Sequence, residues 1–148
     1  MKKKEKLKTL FKKHNVKIAY FFGSQKDVGI TFLSGGKIKI EKDSDLDIGI
    51  VFEKLPEKIY QVYGNIYAGI SIILQPFNID IVFLQETDCL FQFEAIKGNV
   101  IYYENENFFD NYEEIVIKRA ADLSYKKIDF EKDFLEAIKN GYFQITLG

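Results

Sequence analysis

Continuous apolar runs separate the more polar stretches of this chain and predict its strands. Residues 16–22 and 46–52 form two such runs, and residues 77–84 form a third. Runs of this length, rich in β-branched and aromatic residues, are typical of buried strands. Residues 100–103 predict a fourth, shorter strand. One acid, Asp80, interrupts the third run.

Apolar positions spaced by three and four residues predict helices between these strands. Residues 2–14 form the first helix, and Pro56 opens a second that carries apolar residues to Ile73. Residues 88–97 predict a short helix that ends before Gly98. The segment from Phe108 to about Asn140 is largely helical, with an expected break near residues 124–129.

Helices alternating with buried strands predict an α/β or α+β fold, in which helices flank one small mixed β-sheet. The 148 residues, 47% of them apolar, suffice for one domain with a buried core. We therefore expect a single domain spanning residues 1–148.

Residues 30–42 form an expected insertion beside the candidate site. Ile38 and Ile40 alternate with charged residues after Ser34-Gly35-Gly36, which predicts a β-hairpin. Two interpretations remain open. The hairpin extends a sheet edge guarded by lysines, or it presents Lys37 or Lys39 to phosphates or to a partner.

Composition excludes several classes of function. Arg119 is the only arginine, which disfavours sequence-specific nucleic-acid binding, because arginine provides most bidentate contacts to bases. His14 is the only histidine, so Cys/His zinc sites and serine-histidine triads cannot form. Carboxylates must therefore carry any chemistry.

The remaining composition predicts a cytoplasmic protein. Cys89 is the only cysteine, which excludes an internal disulfide and agrees with a reducing compartment. The longest apolar stretch, residues 66–74, is too short to cross a bilayer, and the lysine-rich start lacks the apolar core of a signal peptide. We expect no membrane association.

Three aspartates are the candidate metal ligands. Asp45 and Asp47 are two residues apart at the start of a strand, so their side chains point to the same face and can hold one Mg²⁺ ion. Alternatively, they belong to a solvated turn. Asp80 lies within an apolar strand, where a buried carboxylate requires a cation or hydrogen-bond donors. Either a metal ion compensates the charge of this carboxylate, or a lysine does so in a structural ion pair.

The order of these motifs resembles the polymerase-beta-like nucleotidyltransferase superfamily, and within it the minimal nucleotidyltransferases, or MNT proteins. The resemblance rests on Phe22-Gly23-Ser24, on Asp45-x-Asp47 and on the later strand with Asp80. It continues through residues 90–103, where a helix leads into Gly98-Asn99-Val100-Ile101-Tyr102. The spacing from Gly-Ser to the paired aspartates is longer here than is usual in the family, because residues 30–42 intervene.

The resemblance implies a magnesium-dependent transfer of AMP from ATP. Gly23 and Ser24 would form a turn that holds the nucleotide phosphates at a helix N-terminus. Asp45 and Asp47 would bind Mg²⁺ on the triphosphate, and Asp80 would complete a two-metal site and favour deprotonation of the acceptor hydroxyl. Without the aspartates, Gly23-Ser24 would be a plain helix N-cap.

The resemblance also implies a partner. MNT proteins of this size resemble the antitoxins of HEPN/MNT toxin–antitoxin pairs, in which AMP is transferred to a tyrosine of the HEPN ribonuclease toxin. Two alternatives remain open: a small-molecule acceptor, as in aminoglycoside nucleotidyltransferases, and a non-catalytic antitoxin that acts by binding. Neither the acceptor, the base preference nor the oligomeric state follows from the sequence.

Overall fold

The computed structural model describes residues 2–41 and 43–141, in which helices and strands alternate as the sequence predicts. Their bounds are α1 (Lys3–Lys13), β1 (Val16–Phe22), α2 (Lys26–Leu33), β2 (Leu46–Phe52), α3 (Ile59–Ile73), β3 (Ile79–Phe83), α4 (Cys89–Ile96), β4 (Asn99–Tyr103) and α5 (Glu106–Lys139). A short 3₁₀ turn, Leu84–Glu86, follows β3.

The four strands form one mixed sheet in the order β3-β2-β1-β4. Strand β1 pairs antiparallel with β2 and with β4, whereas β2 and β3 are parallel. The parallel pair requires a crossover, and α3 provides it. The predicted α/β class with a small mixed sheet is therefore confirmed.

Helices cover both faces of the sheet. On the first face, side chains of β1, β2 and β3 such as Phe21, Ile48 and Ile81 pack with residues of α1 and α3 in the larger core cluster. On the second face, Ile18 and Tyr20 pack with residues of α4 and α5 in a smaller cluster. Because neighbouring residues of a strand point to opposite faces, β1, β2 and β3 each contribute to both clusters.

Most predicted elements are observed. Strands β1 and β2 have the predicted bounds, and α1 and α4 differ from prediction by one residue at each end. Helix α3 begins at Ile59, three residues after Pro56, because Glu57 and Lys58 form a turn first. Strand β3 is shorter than predicted at both ends. No helix in residues 2–41 and 43–141 is long and apolar enough to cross a membrane.

The hairpin expected at residues 30–42 is wrong for the residues described there, while Lys42 lies outside them. Residues 30–33 are the last turn of α2, and residues 36–41 have no strand partner. The alternation that suggested a hairpin reflects packing, because Ile38 and Ile40 contact the larger core cluster while Lys37 and Lys39 are exposed. An extended segment packed through every second side chain has the same sequence period as a strand.

The expected break in the last helix is also wrong. Helix α5 continues without interruption from Glu106 to Lys139. Residues 124–129 contain neither glycine nor proline, so nothing in them forces the backbone out of helical geometry. The predicted stop is confirmed, since α5 ends at Lys139 and Gly141 has a positive φ of 78°.

Candidate functional site

The three candidate aspartates lie near one another at one edge of the second sheet face. Asp47 and Asp80 are register partners on the parallel strands β2 and β3. Residues paired in this way carry their side chains on the same face of the sheet. Asp45 precedes Asp47 by two residues, immediately before β2 begins. The topology therefore brings together the acids that the sequence singled out.

Asp47 is the least exposed of the three acids and interacts electrostatically with the other two. Burial raises the pKa of its carboxyl group above the ordinary value of 3.8, and the negative charges of Asp80 and then Asp45 raise that pKa further. A group with this combination of partial burial and like-charged neighbours favours a cation beside it. Such perturbed carboxyl groups are typical of functional sites.

The expectation that Asp80 is buried is wrong. Its side chain is exposed although Ile79 and Ile81 on either side are buried, because strand β3 buries only alternate residues at this point. The alternative of a structural ion pair is not supported either. Among residues 2–41 and 43–141, no lysine, arginine or histidine lies within salt-bridge distance of Asp80.

The carboxylates share a face without converging on one point. Within the described residues, no three His, Cys, Asp or Glu side chains are arranged closely enough to hold a metal ion. Like charges repel, so the three aspartates need a cation to draw them together. Their chemistry nevertheless suits Mg²⁺, which prefers carboxylate oxygens and takes further ligands from substrate phosphates.

The turn after β1 approaches Asp47 directly. Gly23 has a positive φ of 75°, which favours glycine, and a Cβ atom at this position would collide with the Asp47 carboxylate. The turn continues into α2, where the backbone N–H of Lys26 donates to the Gly23 carbonyl oxygen at 3.4 Å. Glycine is therefore required here both by backbone conformation and by space.

Ser24 is exposed in this turn and is not the helix N-cap. The N-cap of α2 is Gln25, whose side chain makes no capping hydrogen bond. The simple N-cap interpretation of Gly23-Ser24 is therefore wrong. The turn places Ser24 just before the positive end of the α2 dipole, beside the face that carries Asp47.

A contact that no sequence motif indicates connects the first turn of α2 to strand β4. Asn99 at the start of β4 donates a hydrogen bond to Asp27 in the first turn of α2, at 3.0 Å. This bond, followed by the 3.3 Å pair with Lys26, lowers the pKa of the Asp27 carboxyl group. Gly98-Asn99 suggested only a helix end, so no sequence signal pointed to this link.

The family relationship follows from the sequence over most of this fold. Residues 5–107 match the family described as "Polymerase beta, Nucleotidyltransferase", a span that includes the Gly23-Ser24 turn and all three aspartates. The chain belongs to the polymerase beta nucleotidyltransferase family. No curated protein matches the sequence.

Solved structures of MNT antitoxins share the nucleotidyltransferase fold. A mutant toxin–antitoxin complex containing MntA aligns with a TM-score of 0.64 and 12% identity, covering 89% of this chain and 98% of that one. The complex of MNT antitoxin with tri-AMPylated HEPN toxin from Shewanella oneidensis aligns with a TM-score of 0.61 and 12% identity. The alignment covers 90% of this chain and 96% of that one. A toxin–antitoxin structure with AMP-PNP aligns with a TM-score of 0.62 and 12% identity, over 89% of this chain and 98% of that one.

Proposed function

We propose that this nucleotidyltransferase transfers AMP from Mg-ATP to a tyrosine hydroxyl of a cognate HEPN toxin, and thereby acts as an antitoxin. The observation that carries the proposal is the pairing of Asp47 with Asp80 beside Asp45, opposite a turn whose glycine leaves room for the Asp47 carboxylate. The similarity in fold to MNT antitoxins found with AMP-PNP and with an AMPylated toxin supports the choice of nucleotide and acceptor.

Asp45 and Asp47 are the proposed ligands of the cation that accompanies the triphosphate. Asp47 lies against the Gly23 turn, and burial followed by the negative charges of Asp80 and Asp45 raises its pKa. Bound Mg²⁺ would compensate the phosphate charge and make the acceptor hydroxyl more acidic. The three carboxylates provide the negative charge that the cation requires.

The Gly23-Ser24 turn is the proposed phosphate-binding element. It exposes Ser24 and leads directly into α2, whose first backbone N–H groups lack intrahelical partners. Such N–H groups and a nearby hydroxyl are suitable donors to phosphate oxygens. The absence of a side chain at Gly23 lets the phosphates approach the backbone close to Asp47.

Asp80 is the proposed acid nearest the incoming hydroxyl. Its exposure on β3, beside Asp47, leaves it accessible to a large acceptor such as a protein side chain. Its carboxylate would help to deprotonate the hydroxyl, whose oxygen attacks the α-phosphorus of ATP and forms a new P–O bond. The bond to the β-phosphate breaks in line, and pyrophosphate leaves with its electron pair.

The test is a reaction of the purified protein with Mg-ATP and the HEPN protein encoded beside it. We expect the intact mass of the toxin to increase by whole AMP units, pyrophosphate to be released, and ribonuclease activity to stay suppressed after the two proteins are separated. The variant Asp45→Asn/Asp47→Asn should give no adduct. Asp110→Asn, which changes an exposed acid on α5, is the matched control and should remain active.

The alternatives give different results in the same experiment. A non-catalytic antitoxin would silence the toxin without an adduct, independently of ATP, and its effect would disappear on dilution. A small-molecule nucleotidyltransferase would leave the toxin unmodified and active, while adenylylating an aminoglycoside. Either result would overturn the proposed acceptor.

A further inference from the structure

Helix α5 is longer than the body of the protein can cover. It spans 34 residues, of which Val116 and Ala120 are the buried ones in its first half. From residue 121 to residue 136 every side chain is exposed. We call residues 121–136 the uncovered segment; at a rise of 1.5 Å per residue it is about 24 Å long.

The uncovered segment is rich in large apolar side chains. Those exposed by more than 60% are Tyr125, Ile128, Phe130 and Leu135, and Leu123 is 40% exposed. A helix of this length is only marginally stable in water without tertiary contacts, and contiguous exposed apolar residues usually mark an interaction surface. The segment is therefore a candidate interaction surface.

One face of the segment continues the face that packs on the sheet. Phe109, Val116, Leu123 and Phe130 follow each other at intervals of seven residues. Phe109 contacts Tyr20 with a ring-centroid distance of 6.4 Å, and Val116 is buried. A seven-residue apolar repeat is the spacing of helices that pair side by side in a coiled coil. Leu123 and Phe130 extend this seam beyond the body of the protein.

Charge is divided along the same stretch of helix. Residues 119–127 contain three basic residues and one acid, giving a net charge of +2, whereas residues 129–136 contain four acids and one lysine, giving −3. Within the described part of the chain, no ion pair joins any of these groups. An antiparallel partner with the same sequence would place each half against the oppositely charged half.

We propose that the uncovered segment binds the same segment of a second copy of this chain, antiparallel, about a two-fold axis close to Ile128. Leu123 and Phe130 lie on the shared seam, and the two-fold places Lys126 of each copy beside Asp133 of the other. Because the interface is isologous, this ion pair forms twice in the dimer. This dimer is independent of the proposed transfer reaction.

The first test measures the molar mass of the full chain by light scattering over a range of concentrations, with sedimentation velocity as a check. We expect twice the chain mass of 17.3 kDa at high concentration. Phe130→Gln should shift the equilibrium to monomer without changing the circular dichroism or activity of the body. Tyr125→Gln, equally exposed but off the seam, is the matched control and should remain a dimer.

The second test exchanges the charges. Lys126→Asp places two acids together in both symmetry-related pairs and should raise the dimer dissociation constant by roughly tenfold or more. Adding Asp133→Lys to that variant should restore dimerisation. Lys132→Asp makes the same change in charge on another side of the helix and should leave the dimer dissociation constant nearly unchanged.

Three results would overturn the proposal. The first is a wild-type chain that is monomeric at every concentration tested. The second is a charge exchange that fails to restore the dimer, and the third is a Tyr125→Gln variant whose dimer is weakened as much as that of Phe130→Gln. A monomeric chain whose segment becomes protected from hydrogen exchange only in a complex with the toxin would assign this surface to the toxin instead.

Discussion

Asp47 and Asp80 lie side by side on parallel strands, and each presents a carboxylate on the same face of the sheet. Two adjacent acids on neighbouring strands destabilise the fold unless their charges are compensated. Binding of a cation at the proposed site would offset this cost in stability. The proposed metal site at this edge of the sheet would thus lower the stability of the metal-free protein.

Replacing Asp47 by asparagine should therefore stabilise the protein in metal-free buffer. The folded pKa of Asp47 lies above its ordinary value, so the folded chain holds this proton more tightly than the unfolded chain. The protonated Asp47 carboxyl group therefore contributes to folding stability below pH 3.8, its ordinary pKa. This contribution is lost as the pH rises through the higher pKa of the folded state. Thermal unfolding in EDTA should show Asp47→Asn more stable than wild type at neutral pH.

The difference between the two proteins should shrink as the pH is lowered toward 4, because the wild-type carboxyl group then becomes protonated. Asp110→Asn, in which an exposed acid on α5 is changed, should unfold like the wild type throughout. A destabilised Asp47→Asn protein at neutral pH would show that the ionised carboxylate has a favourable partner.

Asp80→Asn should separate nucleotide binding from chemistry. Asp80 is exposed on the neighbouring strand, and we assign it to the acceptor hydroxyl and not to the triphosphate. The variant should keep Mg-ATP affinity within a few fold while transfer falls by at least about a hundredfold, the scale of general-base catalysis. Calorimetric titration with Mg-ATP and the adduct assay measure the two effects. Equal losses in both would place Asp80 among the triphosphate ligands.

Gly23→Ala tests whether the turn after β1 supports Asp47. A residue with a side chain at φ 75° costs about 1 kcal/mol or more in backbone strain, and its Cβ would displace the Asp47 carboxylate. We expect loss of Mg-ATP binding in addition to lower thermal stability.

Gly35→Ala is the control that isolates the backbone effect. Gly35 has a similar φ of 81°, but a Cβ atom there meets nothing within 4 Å. The Gly35→Ala variant should lose about as much thermal stability as Gly23→Ala and should retain Mg-ATP binding. If both variants bind Mg-ATP normally, the contact between the Gly23 turn and Asp47 has no part in the site.

The order of elements and the position of the acids could be predicted because they depend on local patterns. Buried strands such as β1 and β2 require continuous apolar runs, and the Asp45–Asp47 spacing sets a shared face for any extended chain. The pairing of Asp47 with Asp80 depends on strand register, which the sequence does not give. The exposure of Asp80 depends on what the helices leave uncovered.

The two wrong element predictions have a related cause. Ile38 and Ile40 alternate as in a strand, yet they pack on the core from a segment without strand partners. In α5, a break is expected near residues 124–129, but these residues include no glycine or proline that would end the helix. Periodicity records which side chains are buried, whereas strand pairing and helix continuity also depend on backbone partners.

The hydrogen bond between Tyr20 and Glu113 fixes α5 to the sheet. The Tyr20 hydroxyl donates to the Glu113 carboxylate at 2.7 Å in a partly buried position, and burial together with this bond raises the pKa of Tyr20. Tyr20→Phe removes the donor and leaves the carboxylate unsatisfied, so we expect a loss of about 1.5–3 kcal/mol in the free energy of unfolding. Tyr112→Phe, which removes a 2.7 Å bond to the neutral Gln92, should cost about 1 kcal/mol. Urea unfolding measures both, and equal losses would show that the charge on Glu113 adds nothing to this attachment.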